Sequence, residues 1–301
     1  MNGTISDASN RLNGKSVQTR VWGRTDRIRL FMWAGIAFLP PLAFQLALHS
    51  FTNRNELTIQ SELPFKTLVV FSLSVATWIV SRIEKRSLAE YGIDMRQAFG
   101  GKFWEGSVWG FAMLSAVVLV LWITGHFRIE SAALTGLAVV RWALAWGITF
   151  LAVSLSEEFA FRGYWLFSMS RRMRFWPAAL FLSGIFGVAH LTNHGENVLG
   201  LLHVIATGLL FCLTIRRTGT LWFAVGFHAA WDWSETFFYG TPDSGLLGVG
   251  HFLNTSVQGP SWITGGAAGP EGSIVAIPVL ALCAVLISSR FPQVIYPNRP
   301  A

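Results

Sequence analysis

The sequence predicts an all-α fold, a polytopic membrane bundle of about eight transmembrane helices. Three observations carry this. The 301-residue chain is 52% hydrophobic and only 13% charged, against roughly 25% charged residues in an ordinary soluble domain. Its apolar residues fall in runs near the ~20 that a helix needs to cross a bilayer. Its basic residues gather in the gaps between alternate runs. In hydrocarbon the backbone must satisfy its own hydrogen bonds, so helices are the expected spanning elements. A β-barrel needs alternating strands of about ten residues, and these runs do not alternate.

The candidate spans, in order, are 30–49, 64–81, 105–125, 134–156, 175–191, 198–215, 219–238 and 273–290. Pro40 and Pro41 predict a kink in the first, and the fifth is short. The first is a retained span, since later spans anchor the chain whether or not a leader is cleaved. Segment 82–103 is polar, mixed in charge and contains "LAEYGID", which predicts a short interfacial helix. Segment 240–272, rich in Gly, Pro, Ser and Thr, predicts a long external loop with little regular structure.

Charge sets the orientation. Basic residues precede the first span (Arg11, Lys15, Arg20, Arg24, Arg27, Arg29) and follow the second (Arg82, Lys85, Arg86, Arg96, Lys102). Others follow the fourth (Arg171, Arg172, Arg174), the sixth (Arg216, Arg217) and the eighth (Arg290, Arg299). Every cluster falls on one side if both termini are cytoplasmic, as the positive-inside rule requires. The expected organisation is a cytoplasmic segment 1–29, one transmembrane domain 30–291 and a cytoplasmic tail 292–301 in a cell inner (plasma) membrane. The net charge of +7 is spread between apolar runs rather than over one basic face, which argues against nucleic acid. Cys212 and Cys283 sit in apolar runs and read as small buried hydrophobes.

Ionisable residues inside spans are costly and usually face a bundle interior or a wet cavity. Three stretches hold them. In "EEFAFRG", Glu158 and Arg162 are four apart and share a helix face, while Glu157 points about 100° away. In "FGVAH", Phe186 and His190 are four apart. In "HAAWD", His228 and Asp232 are four apart within an aromatic run. The bland alternatives are a helix-end salt bridge, a satisfied histidine and a structural His–Asp bond. Together the stretches hold the groups of a general-base hydrolase or a metal site. No HExxH, GxSxG or serine triad accompanies them. His203 reads as a core residue, or a site neighbour. His194 and Glu196 read as an external turn, and Arg141 as a snorkelling residue. Gly184 and Gly187, with Ala189, predict close helix packing around His190.

In this order, EExxxR, FxxxH and HxxxD on successive spans resemble the CPBP family of intramembrane proteases (ABI family). That family includes the CAAX prenyl endopeptidases and bacterial relatives linked to bacteriocin processing and self-immunity. The resemblance covers about 150–235. It implies an eight-helix fold and peptide-bond hydrolysis in or beside the membrane. It makes Glu157 the principal carboxylate, activating water with His190, supported by Glu158, Arg162 and Phe186. His228 and Asp232 match the third motif. The CAAX branch ends that motif in Asn, which donates to an oxyanion; ionised Asp has no proton to donate. Asp232 would instead orient His228, ligate a metal or carry a proton. No obligatory cofactor is implied. Zinc on Glu157, His190 and His228 is the alternative, since two His and one Glu are a common hydrolytic zinc set.

The expected partners are the lipid bilayer and a peptide or membrane-protein substrate. The leading expectation is an intramembrane endopeptidase. Its rivals are a non-catalytic immunity or binding protein on the same scaffold and a proton-coupled transporter. Against the transporter, no inverted repeats or paired broken helices are legible. One geometric tension stands: straight helices would separate Glu157, near the end of the fourth span, from His190, 14 residues into the fifth (about 21 Å at ~1.5 Å per residue).

Overall fold

The computed structural model describes residues 23–48, 58–191, 193, 195 and 197–296. His194 and Glu196 lie outside the described residues, as do 1–22 and 297–301. The fold is all-α. The principal helices are α1 (Arg24–Leu48), α2 (Ile59–Glu84), α3 (Gly101–Ile123), α4 (Leu137–Arg162) and α5 (Tyr164–Met173). They continue as α6 (Phe175–His190), α7 (Val198–Thr218) and α8 (Trp222–Trp233), then the one-turn α9 (Ser261–Thr264) and α10 (Ala276–Arg290).

Five helical stretches are long and apolar enough to cross a membrane: Arg24–Leu46, Ile59–Glu84, Gly101–Ile123, Leu137–Met173 and Val198–Thr218. Phe175–His190 and Ala276–Arg290 are shorter apolar helices. The predicted seventh span is α8 continued by a wider π turn, Ser234–Phe238. The expected count of eight therefore meets five clear spans. Phe31, Val108, Leu137, Leu180 and Val198 lie exposed on the outer faces of their helices. So much outward apolar surface suits lipid rather than water.

Two connecting segments differ from expectation. Segment 82–103 forms no regular interfacial helix but two 3-10 turns, Leu88–Tyr91 and Met95–Gln97. The loop 240–272 holds more order than its composition predicts: β2 (Leu253–Val257) pairs antiparallel with β1 (Phe127–Ala132), the segment after α3. Side-chain periodicity cannot reveal so short a two-strand pairing across more than a hundred residues. Pro40 and Pro41 sit inside α1 without ending it.

Packing positions α4 and α8 at the centre. α8 lies against α3 and α4, α2 against α1 and α4, and α6 against α7. The α3–α8 contact is backbone to backbone. A Cβ on Gly106 would collide with the Phe223 carbonyl, one on Gly110 with that of Phe227, and one on Gly226 with that of Phe103. Gly106 and Gly110 are a GxxxG pair, the spacing that lets two membrane helices approach closely. Phe223 and Phe227 thereby face α3, which leaves His228 and Asp232 turned toward α4. Of the glycines expected around His190, Gly187 packs tightly, since a Cβ there would strike Ile205; Gly184 faces open space. Cys212 and Cys283 are buried and free.

One end of the bundle collects the described basic clusters. Salt bridges Arg29–Glu84 (3.9 Å), Arg172–Asp26 (2.7 Å) and Arg290–Glu105 (3.2 Å) tie the starts of α1 and α3 to the ends of α2, α5 and α10.

Candidate active site

The break between α4 and α5 resolves the geometric tension. α4 runs on to Arg162, five residues beyond Glu157, and the ten-residue α5 then connects it to α6. Gly163 makes the break: a Cβ there would lie 2.7 Å from the Phe159 carbonyl. Glu157 and His190 consequently line the same cavity, of about 380 Å³, together with Phe186, His228 and Asp232. Glu158 and Arg162 stand behind its wall, fully buried.

The two glutamates face different partners, as a helical offset of about 100° requires. Glu158 Oε1 accepts from Arg162 Nη1 at 3.0 Å and lies 3.0 Å from His228 Nδ1. The Arg162 guanidinium sits 4.2 Å from the centre of the Phe186 ring and also approaches Phe211. Gly208 of α7 makes room for it, since a Cβ there would lie 2.8 Å from Nη2. Glu157 turns into the cavity. Its Oε1 accepts from Lys66 Nζ at 2.8 Å, and its Oε2 lies 3.8 Å from His228 Nε2.

His228 is ringed by acids. Nδ1 meets Glu158, and Nε2 lies 3.4 Å from Asp232 and 3.8 Å from Glu157. A carboxylate only accepts, so Nδ1 carries a hydrogen toward Glu158, and two further carboxylates stand within 4 Å of Nε2. His190 differs. Its Nδ1 lies 2.7 Å from the Phe186 carbonyl, which also only accepts, so Nδ1 carries the hydrogen. In the neutral ring Nε2 then holds a lone pair. The Phe186 ring lies edge-on to His190, with centroids 4.5 Å apart.

Spacing missed several cavity residues. Lys66 and Glu62 of α2 line it, as do Asp243, Ser244 and Glu271 of the loop. Lys66 had a readable signal, a lysine inside an apolar run four residues after Glu62. His203 is a site neighbour: it lines the cavity, stacks on Trp231 and leaves Nδ1 without a hydrogen bond. Burial raises the carboxyl of Asp243, which lies in the loop outside the spans, above the usual range.

A zinc ion on Glu157, His190 and His228 does not fit this geometry. Among the described residues, one set of metal-ligating atoms converges within 4.8 Å, and it is Glu235, Asp243 and Glu271. The Lys66 ammonium moreover occupies Oε1 of Glu157.

A second cavity, of about 690 Å³, is an apolar groove between α1, α2 and α4. Phe31, Phe38, Leu42, Phe65 and Val69 line it, and Lys66 and Glu157 stand at its inner wall.

The chain's similarity to known proteins falls on the elements just described. Residues 139–234 match the family model described as Type II CAAX prenyl endopeptidase Rce1-like. The match begins in the first turn of α4 and ends just after α8, so it takes in all three motifs and agrees with the resemblance to CPBP intramembrane proteases. Lys66, Glu235, Asp243 and Glu271 lie outside it. No curated protein and no solved structure matches the chain. The Rce1-like match and the apolar helices together point to protease activity in a multi-pass membrane protein.

Proposed function

We propose that this chain is an intramembrane endopeptidase that hydrolyses peptide bonds of membrane-associated substrates with a glutamate- and histidine-activated water. The observation that carries the reading is the convergence of Glu157 and His190 on one cavity inside a helical bundle, with His228 on its wall. Lys66 holds Oε1 of Glu157, which leaves Oε2 for a water. The His190 lone pair approaches the same water. Glu157 takes the water's proton as hydroxide attacks the scissile carbonyl, then passes it to the leaving amine. His228 donates to the developing oxyanion, and Asp232, 3.4 Å from its Nε2, orients the ring. Glu158 and Arg162 hold His228 from behind, and Phe186 holds Arg162 and His190. The apolar groove at Glu157 suits a substrate that arrives from the lipid phase, with its apolar part seated between α1, α2 and α4.

On this reading the protein sits in a cell inner (plasma) membrane as a single transmembrane domain, 30–291, with segments 1–29 and 292–301 on the cytoplasmic side. The basic end of the bundle supports that orientation.

The test is a comparison of new peptide termini. Wild type and Glu157→Gln, each purified and reconstituted, are incubated with a solubilised host membrane proteome. Termini produced by wild type alone are the expected result and report the cleavage rule. Identical termini from both proteins, each folded and inserted, would sink the assignment of Glu157.

A further inference from the structure

The mechanism above leaves three acids unused. Glu235 lies in the π turn that continues α8, Asp243 early in the following loop, and Glu271 in the 3-10 turn Pro270–Gly272. Each offers an oxygen, and these oxygens lie within 4.8 Å of one another. They are not a solvated surface patch. Glu235 is fully buried and Glu271 is 8% exposed. Among the described residues, neither carboxylate oxygen of Glu235 has a hydrogen-bond partner. The Glu271 backbone amide lies beside it. The described ion pairs of the cavity engage Glu157, Glu158 and Asp232, and none reaches Glu235 or Asp243.

The surroundings hold these acids in place. Thr236 Oγ1 donates to Asp243 at 3.2 Å. The Ser244 amide and hydroxyl donate to Glu271 Oε1 at 2.8 and 3.1 Å. Gly269, at φ +100°, lets the loop pass directly over Glu235, since a Cβ there would lie 3.0 Å from Oε1. The fold therefore drives three carboxylates together around Glu235, which is fully buried, and a buried charge of that kind needs a compensating partner.

We propose that Glu235, Asp243 and Glu271 form a binding site for one hard divalent cation of the calcium class. The donors are all carboxylate oxygens, the preference of calcium rather than of soft transition metals. Oxygens on a calcium shell of about 2.3–2.6 Å radius lie at most about 5 Å apart, which matches their spacing. The ion clips the loop to the end of α8. Asp243, Ser244 and Glu271 also line the 380 Å³ cavity, and Asp232 lies three residues before Glu235, so the clip fixes one wall of that cavity. The site stands whether or not the chain cleaves peptides.

The experiment uses the full chain in detergent, stripped with EDTA and titrated with calcium chloride, then magnesium chloride, by isothermal calorimetry and thermal melting. Saturable binding of one calcium per chain, a higher melting temperature and slower proteolytic nicking within 240–272 are expected. Glu235→Gln weakens binding at least tenfold. Asp243→Asn is the parallel variant should Glu235→Gln fail to fold. Two results overturn the proposal. One is no saturable binding to wild type up to about 10 mM, above the range of weak calcium sites. The other is unchanged calcium affinity in a folded Glu235→Gln or Asp243→Asn protein. An unaltered melt in calcium and EDTA accompanies the first and assigns the cluster to shared protons.

Discussion

Two groups of acids border one cavity, and they are handled differently. Behind α4, Glu158 meets Arg162 at 3.0 Å and His228 at 3.0 Å, and inside the cavity Glu157 meets Lys66 at 2.8 Å. Glu157 and Glu158 thus each have a cationic partner from their own chain. Beyond α8, Glu235 has none among the described residues, although it is as buried as Glu158. The chain thus supplies internal cations where the proposed chemistry needs carboxylates fixed in direction. At the loop it leaves the charge of Glu235 to the proposed cation.

The sharpest way to break the comparison is at Glu157. Glu157→Gln should lower cleavage about 10³-fold, within the range for general acid–base catalysis, with circular dichroism and melting close to wild type. A collapse of the fold would mean that Glu157 serves structure, like Glu158. Arg162→Met leaves Glu158 with His228 Nδ1 as its remaining partner in a dry interior and should destabilise the protein by about 3 kcal/mol, the low end for a broken buried pair. The double variant Glu158→Gln, Arg162→Met should recover much of that loss, and chemical or thermal melts read both.

Lys66→Met is a smaller change. It frees Oε1 of Glu157 and should cut turnover about 10²-fold, as loss of a positioned donor does, while KM for substrate moves less. An unchanged rate would remove Lys66 from the site. The smallest effect is expected at the loop acids. In EDTA, Glu235→Gln should be neutral or stabilising by up to about 1 kcal/mol, because it removes a charge with no partner. A large loss of stability in EDTA would mean that Glu235 is satisfied within the chain, and the contrast with Glu158 would vanish.

Much of the site was legible because its pairs are local. Glu158–Arg162, Phe186–His190 and His228–Asp232 are each four apart, and a helix puts such residues on one face whatever surrounds it. The all-α class was equally legible, since long apolar runs with few charges have few other solutions. The span count was less so. α6, α8 and α10 are shorter than a bilayer-crossing helix and carry their apolar residues into contacts with neighbours, so composition alone does not define their ends.

By itself the sequence determined the membrane class, the helices and the three motif faces, because each depends on neighbours within a few turns. Only the tertiary structure decided which faces meet. Lys66 reaches Glu157 across 91 residues because α2 packs on α4. His228 turns to Glu158 because glycines at 106, 110 and 226 draw the opposite face of α8 onto α3. Glu235, Asp243 and Glu271 converge because the loop folds back over the end of α8. Such meetings depend on backbone approach and packed volume, which the local spacing of residues along a chain does not encode.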